Sequence, residues 1–162
     1  DNNVLKSIDA TLNKEVCDII YGNIIQASAN GEKIRKYENI CSKKIYSLTG
    51  DCICHQALFA KRNLLKEHKF DTSYKVCADR EWEMYCISRK ATFKSTDIII
   101  ARAQTEGYST AHIGDFENEA GRCIRKYEPG YVWVYVIIQH MKNNKYMLRF
   151  LKMIENRLFI KK

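Results

Sequence analysis

The chain has 162 residues, of which 46% are apolar and 11% aromatic, with seven glycines and one proline. This composition predicts one packed globular domain and excludes a disordered, collagen-like or low-complexity protein. Most of the formal net charge of +8 lies in residues 140–162, which hold seven Lys or Arg and one acidic side chain, so we expect electrostatic partners to meet that tail.

The N-terminal third of the chain predicts one helix and two strands. In residues 3–14 the apolar side chains recur at helical spacing, and an asparagine precedes them as an N-cap. Residues 18–25, DIIYGNII, form an apolar run that predicts a buried strand. Residues 30–50 are polar without a clear period, so no element is predicted there. Residues 53–61, ICHQALFAK, predict the second strand.

The middle of the chain predicts two helices and a third strand. Residues 62–68 have the pattern of a short helix, and residues 70–75 that of a loop. Residues 78–90 predict a helix with Trp82 toward the core, and the β-branched run in residues 92–104 predicts a strand. The resulting order, α-β-β-α-α-β, favours an α/β sandwich.

The remainder of the chain is predicted to be helical after a turn-like stretch at 106–110. Residues 115–128 are amphipathic and end at a Pro-Gly pair. Eight consecutive apolar residues follow at 131–138, too few to cross a bilayer. Residues 146–160 place apolar side chains on one face, flanked by bases. That pattern fits a helix on an anionic membrane surface, and equally a helix packed on its own domain.

The seven cysteines include no C-x-x-C pair. The closest approach to a zinc motif is Cys52-Ile53-Cys54-His55, and no second paired set is present. We therefore predict free, mostly buried thiols in a reducing cytoplasm. No signal peptide is recognisable, and a first residue of Asp1 suggests a chain cut from a longer one.

Three segments, in order, resemble a known family. DIIYGNI is followed by CHQALFAKR, then by Phe70–Tyr74 as an FD-x-x-[FY] motif and Ala78–Trp82 as an AD-x-x-W motif. Residues 1–112 thereby resemble the second half of an inverting family-two glycosyltransferase of bacterial polysaccharide biosynthesis. The resemblance implies an α/β fold: a partial GT-A (Rossmann-like) sheet with flanking helices, and a helical basic C-terminal extension at 113–162.

The same resemblance implies a missing part. The family's nucleotide-binding half, with its metal-binding D-x-D motif, precedes a segment like this one, and no D-x-D occurs here. We therefore expect an acceptor-side half that is inactive alone. In the full enzyme a divalent cation, Mn²⁺ or Mg²⁺, would be held mainly by the other half. The partners implied are a nucleoside-diphosphate sugar donor and a glycan or lipid-linked acceptor.

The resemblance places the catalytic base at Asp79. A carboxylate at a helix N-terminus can be held rigidly within hydrogen-bond reach of an acceptor hydroxyl. The helix dipole favours the ionised carboxylate, whereas burial beside Trp82 and Glu83 disfavours it. Without the family pattern, Asp79 is an ordinary helix cap, with Glu81 adding first-turn charge.

Other candidate residues follow from the family pattern. Trp82 shares the helix face of Asp79 and is either an acceptor platform or, preferably, a core residue, while Arg80 and Glu81 are expected on the surface. His55 and Gln56, near a strand end, are expected to contact acceptor or diphosphate.

The segment after the last strand supplies three further candidates. Ser109 and Thr110 offer hydroxyls to a phosphate. His112 is a weak candidate for a metal ligand, because this sequence departs from the usual GG-x-S form of the segment.

The function expected is transfer of a sugar, with inversion, onto a hydroxyl of a glycan or lipid-linked saccharide. The enzyme would be cytoplasmic, with residues 140–162 placing it peripherally on the inner membrane face. Two alternatives stay open. One is a non-catalytic interaction module, and the other is a basic nucleic-acid-binding domain, although no nucleic-acid motif is present and no nucleic acid is expected as a partner.

Overall fold

The computed structural model describes residues 3–13, 16–37, 52–105 and 107–142. These form a mixed α/β structure with four strands and six α-helices, plus two single 3₁₀ turns. In chain order the elements are α1 (Val4–Leu12), β1 (Ile19–Ser28), β2 (Gly31–Arg35), the turn His55–Ala57, β3 (Leu58–Ala60), α2 (Arg62–Glu67), α3 (Ala78–Ser88), β4 (Phe93–Gln104), α4 (Tyr108–Ala111), α5 (Ile113–Tyr127), the turn Pro129–Tyr131 and α6 (Val132–Lys142).

Strand β1 is the centre of one mixed sheet. It pairs in parallel with β4 from Ile19 to Ala27, along nearly its whole length. Its C-terminal half also pairs antiparallel with β2, and its first three residues pair antiparallel with β3. Because a strand has two edges, β2 and β3 occupy successive parts of the edge opposite β4.

The β1–β4 ladder is irregular around Gly22. The register shifts on both sides of Asn23, so β4 carries extra residues there. A Cβ on Gly22 would lie 2.5 Å from the Ile98 carbonyl oxygen and 2.6 Å from Cδ1 of Ile100. Only glycine lets the two backbones approach this closely.

The sheet is covered on both faces. Successive side chains of a strand point to opposite faces, and here Ile19 and Ile20 are both buried. Ile20 packs with Ile8 of α1, whereas Ile19 packs with Trp82 and Cys86 of α3. This double burial explains the uninterrupted apolar run that predicted β1.

A second helical layer lies behind α3. Met84 of α3 shares a core cluster with Cys123 and Ile124 of α5 and with Ile138 of α6. Helix α3 is therefore enclosed between the sheet and two helices. Its polar residues are enclosed too: Arg80 is 2% exposed and Glu81 0%. The prediction that Arg80 and Glu81 lie on the surface was wrong.

Most of the predicted helices and strands are present in the structure. The helices at the N-terminus, at 62–68, 78–90 and 115–128, and the strands at 18–25 and 92–104 are confirmed. Strand β2 was not predicted, the second predicted strand begins as a 3₁₀ turn, and the predicted turn at 106–110 contains the start of α4. The helix predicted for residues 146–160 lies outside the described residues.

Two further properties concern the described residues only. Six cysteines are free thiols, and four of them are buried: Cys17, Cys77, Cys86 and Cys123. In the four described stretches, no helix is both long and apolar enough to cross a membrane. Helix α6, although apolar, has 11 residues.

Candidate functional site

A cleft of about 690 Å³ opens where β4 ends and α3 begins. We call it the polar cleft. It lies among the C-terminal part of β4, the segment before β3, the N-terminus of α3 and the start of α4. The polar side chains along it belong to Gln26, Arg35, Tyr37, His55, Gln56, Lys75, Asp79, Arg102, Gln104, Thr105, Tyr108 and Thr110.

The polar cleft brings together several residues that the sequence singled out. Asp79, His55, Gln56 and Thr110 all line it, although they are spread over some 55 positions of the chain. The side chain of Ser109 lies outside what the structure describes. Strands β1 and β4 are parallel, and the carboxyl ends of parallel strands are the usual position of ligand sites in α/β proteins.

Asp79 occupies the first turn of α3, one residue inside the helix. One carboxylate oxygen, Oδ1, accepts a hydrogen bond of 2.7 Å from the N–H of Arg80, and Oδ2 lies 3.1 Å from Nδ1 of His55. The helix N-cap is Cys77, and no side chain caps the helix there. Asp79 is therefore not the N-cap, and its side chain, 28% exposed, is directed to His55 and the polar cleft.

His55 is held by Asp79. Its hydrogen bond to the Asp79 carboxylate raises the pKa of His55, because the carboxylate stabilises the imidazolium, while partial burial acts in the opposite direction. The His55 side chain is 64% exposed. Asp79 and His55 thus form an ion pair on the wall of the polar cleft when His55 is protonated, and a simple hydrogen-bonded pair when it is neutral.

Three cationic side chains also line the polar cleft: Arg35, Lys75 and Arg102. Arg102 donates from Nε to Glu32 Oε1 at 2.8 Å, and the guanidinium of Arg35 lies 5.0 Å from the centre of the Tyr37 ring. Sequence reasoning missed all three. The alternation of Ala and Arg near the end of β4 was the available signal, because it places Arg102 and Gln104 on one face.

Helix α5 fixes the chain that leads into Asp79. The buried carboxylate of Glu119 accepts hydrogen bonds from the backbone N–H groups of Lys75, Val76 and Cys77 at 2.8–2.9 Å. Burial alone would raise the pKa of Glu119, but these three hydrogen bonds outweigh it and lower the pKa. The Glu119 carboxylate therefore binds the backbone N–H groups of the segment that precedes α3, up to the N-cap Cys77.

A second buried carboxylate, that of Glu81 in α3, also links α3 to α5. Glu81 accepts from Lys126 Nζ at 2.6 Å, from the hydroxyl of Tyr127, and from His68 Nε2 at 3.0 Å. Burial opposes ionisation of Glu81, yet the hydrogen bonds from Lys126, Tyr127 and His68 leave its pKa lowered. Glu81, which was expected on the surface, is thus the centre of a hydrogen-bond network.

A smaller pocket of about 190 Å³ adjoins the polar cleft. We call it the apolar pocket. Phe70 is 49% exposed there, and its ring centre lies 6.0 Å from that of Trp82. Trp82 is 2% exposed and its Nε1 donates to the His68 carbonyl at 3.0 Å. The full lining is His55, Leu58, Ala60, Leu65, Phe70, Asp79, Trp82 and Glu83.

The described residues do not by themselves fit a divalent cation. They contain no group of three His, Cys, Asp or Glu placed to hold a metal. Mg²⁺ and Mn²⁺ bind several oxygen ligands, whereas Asp79 is the one carboxylate among the described lining of the polar cleft. His112 stacks on Tyr108 at 4.0 Å and donates from Nδ1 to the Tyr108 carbonyl, outside that lining.

No protein-family model, curated protein or solved structure matches the chain.

Proposed function

We propose that this chain is the acceptor-side half of an inverting glycosyltransferase. It would act on a nucleoside-diphosphate sugar and transfer the sugar to a hydroxyl of a glycan or lipid-linked saccharide. The observation that carries the proposal is the polar cleft, in which one carboxylate, Asp79, held by His55, is surrounded by cationic and hydroxyl side chains.

The cationic side chains of the polar cleft suit the diphosphate of the sugar donor. A diphosphate carries at least two negative charges, and Arg35, Lys75 and Arg102 line the same cleft, the last of them ion-paired with Glu32. Arginine and lysine are the usual phosphate-binding side chains, and the former can bind two phosphate oxygens at once. The hydroxyl of Thr110 and the amide of Gln56 add neutral donors.

Asp79 is suited to the role of general base in the transfer. In the transfer, the acceptor oxygen forms a bond to the anomeric carbon while the bond from that carbon to the diphosphate oxygen breaks on the opposite face. The electron pair of the broken bond leaves with the nucleoside diphosphate, and the acceptor proton passes to the Asp79 carboxylate. The hydrogen bonds from Arg80 N–H and His55 fix the carboxylate for this step.

A metal ion and the basic C-terminal segment complete the proposed enzyme. A divalent cation, Mn²⁺ or Mg²⁺, would neutralise charge on the leaving diphosphate and would be held mainly by the donor-side half. The basic residues 140–162 would attach the enzyme peripherally to an anionic inner membrane face.

The base role is tested by Asp79→Asn in the full-length gene product. We expect transfer to be abolished while sugar-nucleotide affinity and melting temperature stay unchanged. Asp115→Asn is the matched control, because it removes an exposed carboxylate from the first turn of α5. Near-normal turnover by Asp79→Asn would exclude Asp79 as the base.

The donor role of the polar cleft is tested separately by calorimetry of the full-length gene product with UDP and GDP. We expect at least one of them to bind, with Lys75→Ala weakening the affinity and Lys66→Ala, an exposed lysine of α2, leaving it unchanged. Absence of binding by either nucleotide, or equal affinity in both variants, would contradict the proposed donor site.

A further inference from the structure

We propose that one face of helix α6 inserts into the surface of an anionic bilayer. This face, which we call the apolar stripe, consists of Trp133, Val136 and Ile137. The inference rests on the membrane location given in the proposed function, but it does not depend on sugar transfer. Residues 140–162 provide positive charge, whereas the apolar stripe provides a hydrophobic contact from a different part of the chain.

Helix α6 is apolar on all sides at its start, although the described residues cover only one side. The first seven residues of α6 are all apolar. Tyr135 and Ile138 are each 7% exposed and pack with residues of α3 and α5. On the opposite side Trp133 is 65% exposed, Val136 46% and Ile137 47%, at the i, i+3 and i+4 spacing of one helix face. A helix that is apolar all round is normally buried all round, so the apolar stripe calls for a further apolar surface.

The composition of the apolar stripe suits the boundary between lipid and water. An indole ring has a large apolar body and one polar N–H, and for this reason Trp is enriched at the headgroup level of bilayers. Tyr131, in the 3₁₀ turn just before α6, is 37% exposed and adds a second amphipathic ring. Val136 and Ile137 follow about one helical turn later, and their branched side chains suit the acyl-chain side of that boundary.

The length of α6 indicates a helix that lies in the plane of the bilayer. Its 11 residues extend about 16 Å, which is half of the ~30 Å hydrocarbon core. One side of α6 also packs on the protein, so lipid cannot surround the helix. An interfacial helix enters the bilayer by about 5–10 Å. That depth buries the apolar stripe and leaves Tyr135 and Ile138 in the protein core.

Charge favours an anionic bilayer over a second copy of the chain. Residues 131–142 contain no acidic side chain, and residues 140–162 hold seven Lys or Arg against one Glu. This basic stretch begins at the end of α6. Two copies joined through the apolar stripe would therefore bring two such stretches near each other, and their like charges would repel. Anionic headgroups attract the same Lys and Arg side chains.

Tryptophan fluorescence of the full-length gene product with vesicles tests the insertion of α6. The vesicles contain phosphatidylcholine alone or phosphatidylcholine mixed with phosphatidylglycerol, and in a parallel set the phosphatidylcholine is brominated in the upper part of one acyl chain. Bromine quenches an indole only at close range. We expect the mixed vesicles to bind the protein and the brominated lipid to quench its emission. Trp133→Phe should remove the quenched component, because Trp82 is 2% exposed and lies in the core.

The double variant Val136→Ser, Ile137→Ser separates insertion from attraction by charge alone. It keeps the basic stretch and the buried side of α6, and both positions are about half exposed, so the melting temperature should stay near that of wild type. We expect the affinity for mixed vesicles to fall about tenfold, since the exposed parts of two branched side chains lose their transfer into hydrocarbon. Leu5→Ser is the matched control. Leu5 is 69% exposed on α1, which covers the opposite face of the sheet, so this change should leave the affinity unchanged.

The possible results distinguish insertion from the other occupants of this face. Binding to mixed vesicles without quenching, or with equal affinity in wild type and the double variant, would overturn insertion and leave attachment through residues 140–162. A dimer that the double variant loses, without vesicle binding, would assign the apolar stripe to a second copy and overturn the inference. Equal affinity for neutral and mixed vesicles would contradict the anionic bilayer.

Absence of binding to either kind of vesicle would overturn both the insertion and the proposed membrane attachment. Sugar transfer is tested independently by Asp79→Asn and by nucleotide calorimetry. A protein that binds UDP or GDP but no vesicle would therefore keep the transferase proposal and lose this inference.

Discussion

Replacement of Glu119 by alanine should destabilise the protein by about 3–4 kcal/mol. Its carboxylate accepts three backbone N–H bonds, from Lys75, Val76 and Cys77, and hydrogen bonds to charged groups contribute roughly 1.5–3 kcal/mol each. These contributions do not add fully. Lys75 is exposed, so water can replace the carboxylate at its N–H, whereas Cys77 is 1% exposed and its N–H would stay buried.

The loss is measured by urea denaturation and by thermal unfolding. For a domain of this size, 3–4 kcal/mol corresponds to a fall in Tm of about 6–16 °C. Glu119→Gln keeps one carbonyl acceptor and should lose about 2 kcal/mol, in the range for a single charged hydrogen bond. Glu117→Ala, an exposed neighbour on α5, should stay within about 0.5 kcal/mol of wild type. A loss below 1 kcal/mol for Glu119→Ala would refute the reasoning.

The same interaction predicts a pH dependence. Because the folded-state pKa of Glu119 is lowered, the unfolded chain takes up its proton first, and the stabilisation is complete above the ordinary Glu pKa of about 4.3. It is lost as the pH falls through the folded-state value. The wild-type and Glu119→Gln denaturation midpoints should therefore converge as the pH is lowered below 4, and parallel curves at all pH values would contradict this.

Three further predictions concern other parts of the molecule. Gly22→Ala should lower the free energy of unfolding by about 2–3 kcal/mol, because the new Cβ meets the Ile98 carbonyl. Gly114→Ala has open space at its Cβ and should be neutral or stabilising, and urea denaturation of the two variants measures the difference. Glu81→Ala should cost about 3–5 kcal/mol by the same assay and Lys126→Met less, because the Lys126 side chain is 44% exposed and Glu81 is fully buried. If Asp79 is the base, kcat/KM should rise as the pH passes the raised pKa of His55. Protonated His55 is ion-paired with the carboxylate that must accept the proton, whereas neutral His55 only orients that carboxylate by a hydrogen bond, so His55→Gln should abolish that limb of the profile.

Local pattern alone was sufficient for most elements of the fold. Strand β1 has an apolar run because both of its faces are covered, and α5 has a clear amphipathic period ending before Pro129. Strand β2 was missed because its residues are exposed, and an exposed edge strand lacks the apolar alternation that marks a half-buried one.

The site was predicted less completely than the fold. Asp79, His55, Gln56 and Thr110 were identified, and they do meet in one cleft. The burial of Arg80 and Glu81 depends on α5 and α6, some 40 or more residues away, so no local window of sequence contains it. For the same reason the anchoring role of Glu119 was not predicted.

The parallel pairing of β1 with β4 has a consequence for synthesis of the chain. Asp18 hydrogen-bonds Thr92 across 74 positions, and Ala27 accepts from Thr105 across 78. At about 5–20 residues per second, a ribosome needs roughly 4–15 seconds to make the partner after β1 has been made. During that interval the apolar strand β1 has one unpaired edge. We therefore expect the newly made N-terminal part to bind chaperones that protect nascent chains.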